Sequence, residues 1–160
     1  TGRGGFCWYQ LEFLADQKFK YDYNEALKSK QQIREFISKA CKAYQADSTK
    51  VYLIGFSQGA IMSYELALSA PAKIKGVMAL SGRMMPETAQ LKTDEQKLKQ
   101  VRFFIAHGFS DTVIKEADGR AAYTFLQRFK LPRLVYKTYN MPHTISQDEL
   151  NDLRLWLNGY

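Results

Sequence analysis

The chain has 160 residues, with 23 Lys and Arg against 16 Asp and Glu, for a formal net charge of +7. Apolar residues make up 46% and charged residues 24%, a balance that excludes a disordered or fibrous chain and suits one domain, residues 1–160, around a single core. No apolar run approaches the roughly 18–20 residues of a membrane span, and the scattered lysines carry no nucleic-acid motif, so no membrane span and no nucleic-acid partner are expected.

The opening Thr1-Gly2-Arg3-Gly4-Gly5 lacks a charged region followed by an apolar stretch and does not read as a signal peptide. Gly2 to Tyr9 is glycine-rich, then aromatic at Phe6, Trp8 and Tyr9, which predicts a loop. From about Asn24 to Gln45, Leu27, Ile33, Phe36, Ile37, Ala40, Cys41 and Tyr44 recur at three- and four-residue steps. That spacing predicts a helix with one apolar stripe, capped by Asn24, with Glu25 at the positive end of its dipole. Cys7 and Cys41 cannot build a disulfide framework, and neither has a partner at metal-ligand spacing. Two free thiols in a reducing, cytoplasmic compartment are expected.

Val51–Ile54 is a short apolar run without polar alternation, as in a strand buried on both faces. Similar runs follow at Gly76–Leu80, Val101–Ala106 and Leu134–Tyr139. Helical patterns fall at about Gln58–Ser69, Lys115–Phe129 and Ser146–Asn158. Strands alternating with helices predict an α/β fold, a mainly parallel sheet with helices on both faces. Ligands of such sheets bind beyond the carboxyl ends of the strands. Gly55–Gly59, Ser81–Met85, His107–Asp111 and Asn140–His143 are therefore the segments to inspect.

Gly55-Phe56-Ser57-Gln58-Gly59 is G-x-S-x-G between a strand and a helix. A serine on such a turn is held in a strained backbone that pushes its hydroxyl out of the sheet. A Cβ at Gly55 or Gly59 would strike the neighbouring strand or helix. The Gln58 N–H, at the helix start, is placed to donate to a developing oxyanion. Serine needs a base, usually His oriented by a carboxylate, and here the acid is expected before the His in chain order. Asp111 and then His143 satisfy that order at the sheet edge. His107 is the alternative base, and its expected job is to hold the Asp111 loop. Asp118, Asp148 and Glu149 are the rival acids, the last two suiting a helix dipole.

The elbow, Leu80-Ser81-Gly82, His107-Gly108-Phe109-Ser110-Asp111 with Val113, His143, and Trp156-Leu157 together resemble the phospholipase/carboxylesterase family of α/β-hydrolases, which includes acyl-protein thioesterases. Gly4-Gly5 with Trp8-Tyr9 is similar to the family's loop before its first long helix. The resemblance implies the α/β-hydrolase fold, with Ser57 as nucleophile, Asp111 as orienting acid and His143 as base. It implies hydrolysis of carboxylic esters or thioesters with no metal or cofactor. Family members carry additional N-terminal strands and a His-Gly loop supplying a second oxyanion donor, so such a segment is expected upstream of Thr1. Pro142 stands where the family often has Gly, which fixes one backbone angle beside His143.

Phe6, Trp8, Tyr9, Met84, Met85 and Phe109 fall in loops at the expected edge and are candidates for an apolar acyl channel, the methionines adapting to chain shape. Arg83 is a candidate for meeting an acidic leaving group. The expected partner is a small acyl ester or thioester; short esters, lysophospholipids and acylated thiols are not distinguished, and a homodimer is left open. The alternative from another class is a non-catalytic binding protein of the same fold. A dienelactone-type hydrolase would want Cys at position 57.

Overall fold

The apolar runs become the strands of one parallel sheet. In the computed structural model, which describes residues 5–14 and 19–159, these are β3 (Tyr52–Phe56), β4 (Gly76–Leu80), β5 (Arg102–Gly108) and β6 (Leu134–Tyr139). They lie in the order β3-β4-β5-β6, all neighbours parallel. Between them run α2 (Gln58–Ser69) and α5 (Glu116–Gln127), and α6 (Gln147–Leu157) closes the chain. Two compact units result, Thr1–Ala46 and Asp47–Tyr160; the sheet belongs to the second.

Strand alternation sorts the sheet's side chains onto two faces. Val77, Ala79, Phe103 and Ile105 pack with Ala60, Tyr64, Ala67 and Leu68 of α2 and with Ala122 and Leu126 of α5. Met78, Leu80, Phe104 and Ala106 pack on the other face with Leu153 and Trp156 of α6, flanked by Tyr52, Phe56, Val135 and Tyr139. Each large side chain fully buried this way contributes about 1.5–3 kcal/mol. The expected helices on both faces are therefore present. The α6 helix is also held at its far end, where Arg102 donates to the Trp156 carbonyl and its guanidinium stacks 4.3 Å from the Trp156 ring. A cation there suits the negative end of the helix.

β4 and β5 are wholly buried, but the expectation of a strand buried on both faces fails for the first run. Among the described residues β3 pairs only with β4, and Ile54 is 62% exposed. Its apolar character marks the strand, while its exposure follows from its place at an edge. The strand also runs two residues further than expected, to Phe56, so it delivers Ser57 directly. Two short helices, α3 (Pro86–Ala89) and α4 (Glu95–Leu98), fill the β4–β5 connection. The Thr88 hydroxyl ties α3 to α2 through the buried Glu65 carboxylate, 2.5 Å away.

The first unit holds a two-stranded antiparallel ribbon, β1 (Leu11–Phe13) and β2 (Phe19–Tyr21), in a stretch between the expected loop and the expected helix to which the sequence reading assigned no element. It also holds α1 (Tyr23–Ala43). The cap of α1 is Asp22, whose carboxylate accepts the Asn24 N–H at 2.8 Å, rather than the expected Asn24. An extended backbone at Asp22 (φ −94°) lets that side chain reach back to the first turn. No member of the expected stripe is fully buried: Leu27, Ile33, Ile37, Ala40 and Cys41 are half-buried and Phe36 and Tyr44 are 70% and 84% exposed, while the covered positions, Ala26 and Ser29, lie outside it. The positions that close up are the small ones, and the Ser29 hydroxyl donates to the Trp8 carbonyl. Among the described residues, no helix is long and apolar enough to cross a membrane.

Candidate active site

The sharp turn after β3 is built around Gly55. A Cβ there would overlap the Gly59 carbonyl and stand 2.5 Å from the Ala60 nitrogen, so only glycine lets the strand meet its helix this closely. Ser57 takes φ 54° and ψ −116°, a conformation costly for a side chain with a Cβ. The surroundings hold it there. Its N–H donates to the Leu80 carbonyl at 2.9 Å, and its own carbonyl accepts from Ala60 and Ile61 at 3.0 and 3.2 Å. Gln58 opens α2, so its amide belongs to the first turn, whose N–H groups point out of the helix.

His143 reaches Ser57 from the loop after β6. Its Nε2 lies 2.9 Å from Ser57 Oγ, and its Nδ1 lies 2.6 Å from Asp111 Oδ2. A carboxylate oxygen only accepts, so the partners place the hydrogen on Nδ1 and leave the Nε2 lone pair to the serine hydroxyl. The Asp111 side chain is fully buried. Its Oδ1 accepts the N–H groups of Val113 and Ile114 at 2.8 and 3.0 Å, which fixes the carboxylate before it meets the imidazole.

Two loops must run close together for this to happen. Phe109 N–H donates to the Tyr139 carbonyl at 2.8 Å, and Ser110 N–H to the Met141 carbonyl at 3.1 Å. Gly108 permits that approach: a Cβ would overlap the Met141 carbonyl and stand 2.5 Å from that of Pro142. His107, the alternative base, is wholly buried behind Asp111. Its Nε2 lies 2.9 Å from the Ile114 carbonyl and 3.5 Å from Asp111 Oδ2, so it ties down the loop that carries Asp111. The rival acids stand elsewhere. Asp118 lies within α5, and Asp148 and Glu149 occupy the first turn of α6 after its Ser146 cap.

The Phe56 ring, which the sequence reading did not single out, lies 4.7 Å from the imidazole of His143, centroid to centroid, at 40°. Its position as the second residue of the elbow was the only available signal. Of the channel candidates in the second unit, Phe109 is 72% exposed, Met84 packs against the core, and Met85 has no exposed surface. In the first unit Phe6 and Trp8 are exposed and Tyr9 is buried. Among the described residues, no three His, Cys, Asp or Glu side chains gather as a metal site would require.

A parallel sheet, an elbow serine with positive φ and an imidazole reaching it from a later loop define the class: this is an α/β-hydrolase fold. The Arabidopsis thaliana SOBER1 crystal structure is similar over 95% of this chain and 72% of its own, with a TM-score of 0.76 at 22% identity. The Bacillus cereus carboxylesterase covers 86% of this chain and 63% of its own, with a TM-score of 0.77 at 20% identity. In sequence, the acyl-protein thioesterase 1 of Mycosarcoma maydis is 29% identical over 163 residues, covering 94% of this chain and 67% of the relative. That of Candida albicans is 29% identical over 161 residues, covering 96% and 69%. The chain thus spans about two thirds of the length of these relatives. The model of the phospholipase/carboxylesterase family matches residues 1–159, and the chain belongs to that family of esterase-type hydrolases.

Proposed function

We propose that the chain hydrolyses carboxylic esters or thioesters through an acyl-enzyme on Ser57, with His143 as base and Asp111 as orienting acid. The observation that carries this reading is a single imidazole hydrogen-bonded on one side to a buried carboxylate and on the other to the elbow hydroxyl. His143 takes the Ser57 proton as Oγ attacks the acyl carbon. It then gives that proton to the departing alcohol or thiol. In the second half it takes a proton from water, whose oxygen attacks the acyl-enzyme and returns the serine. Asp111 holds the tautomer and stabilises the imidazolium. The Gln58 N–H supplies one donor to the tetrahedral oxyanion, favoured by the positive end of α2.

The names of the relatives favour an acylated thiol or ester as substrate, and the exposed Phe109 ring beside the Asp111 loop suits an apolar acyl group. A fluorophosphonate probe tests the reading, since it captures a serine only when a base activates it. Mass mapping is expected to find the adduct on Ser57. Ser57→Ala is expected to abolish it and to lower ester turnover by roughly 10⁶. An unlabelled parent chain, or equal labelling of the Ala variant, would favour a binding protein and overturn the proposal.

A further inference from the structure

The elbow residue before the serine is an aromatic ring packed against the imidazole. Phe56 reaches this place because β3 continues through it, and it also packs against the apolar cluster under α6. The ring is therefore braced while it touches His143 at 4.7 Å between centroids. That separation lies within the range at which an aromatic face attracts a cation.

We infer that Phe56 is a positioning residue for His143, one that fixes the plane of the imidazole and favours its protonated form as Ser57 gives up its proton. This rests on the proposed roles of Ser57 and His143. The neutral imidazole gains only packing from the ring. The imidazolium gains packing and attraction to the ring's negative face. The interaction thus strengthens as the proton moves, which is what accelerates a step rather than merely tightening a ground state.

The other groups facing the imidazole are Asp111 Oδ2 and Ser57 Oγ, with His107 behind Asp111. On its own segment, Asp148 and Glu149 follow in the first turn of α6. On β6, Lys137 is engaged by Asp152 at 2.9 Å. β3 itself carries no charged residue. None of these changes when Phe56 is substituted by a neutral side chain. Leu keeps the apolar cover but lacks the aromatic face, and Tyr restores that face.

The test is the rate of fluorophosphonate labelling at Ser57 against pH, in the full chain and in Phe56→Leu, Phe56→Met and Phe56→Tyr. The acid limb reports loss of the free base, and its position does not depend on how much of a variant is folded. With Leu and Met, the limb is expected to move to lower pH by about half a unit, and the plateau rate to fall about 3–10-fold. Tyr is expected to restore both. Coincident limbs in all four proteins, with Ser57 labelled normally, would overturn the role of Phe56 alone. A parent chain unlabelled at Ser57 would instead overturn the hydrolase reading, and this inference with it.

Discussion

Gly119 of α5 lies against the Nδ1 edge of the His107 imidazole. A Cβ at Gly119 would overlap Nδ1 and stand 3.2 and 3.3 Å from Cγ and Cε1. Glycine inside a helix costs about 1 kcal/mol relative to alanine, so its presence here needs a packing reason, and the buried ring supplies it. Gly119→Ala is therefore expected to lower stability, against helix propensity, by about 1–3 kcal/mol through overpacking. Thermal unfolding checks this. A variant that melts at or above the parent temperature would show that the ring yields freely.

Gly108 makes the second close approach, against the backbone that leads to His143. A methyl group there must separate the loop carrying Asp111 from the loop carrying His143. Labelling of Ser57 in Gly108→Ala is expected to fall about 10²-fold, the usual consequence of misplacing a base by about an ångström. Labelling within a factor of two of the parent would mean that the two loops are not coupled in this way.

Asp111→Asn preserves shape but offers an amide in place of a carboxylate. If the amide N–H₂ group turns to the ring, Nδ1 must accept, and the hydrogen shifts to the nitrogen that should receive the serine proton. Ester turnover is expected to fall by about 10⁴. Turnover near the parent value would remove Asp111 from its proposed role and return attention to Asp118, Asp148 and Glu149.

Glu149 is buried in the first turn of α6, and neither carboxyl oxygen has a hydrogen-bond partner among the described residues. Burial pushes its carboxyl up to about 7 from an ordinary 4.5, against a smaller opposing effect of the Ser146 backbone. The raised value means that the folded state favours the neutral acid. The stability associated with it is full below about pH 4.5 and is lost as pH rises toward 7, by up to roughly 3 kcal/mol. Glu149→Gln stays neutral throughout. Its stability is expected to vary less than the parent's between pH 5 and 8, as measured by urea unfolding at a series of pH values. Parallel curves would show that Glu149 does not carry the dependence.

Gln58–Ser69, Gly76–Leu80 and Leu134–Tyr139 were legible at their exact bounds, because local periodicity and flanking turn residues decide where such segments begin and end. Burial was less legible, since it depends on neighbours: Ile54 and Val77 read alike in sequence, yet one is exposed at an edge and the other fully covered. Strands of three residues and helices of four, such as β1 and α3, are too short to show a period. Chain order and strand ends were enough to single out Ser57, Asp111 and His143 as a set that could meet. The ring contact of Phe56 with His143, and of Gly119 with His107, could not be read that way. Both arise between distant segments, and only a glycine in mid-helix hinted at the second.

The bonds through His143 join positions 86 and 32 residues apart. Closing loops of that size is entropically costly, and the return comes only once β3, β5 and β6 are seated beside their neighbours. A collapsed intermediate with helices formed but one strand unseated would hold all three side chains and still leave the serine inert. Probe capture during refolding from denaturant would accordingly count finished molecules, and lag behind any signal that follows helix content.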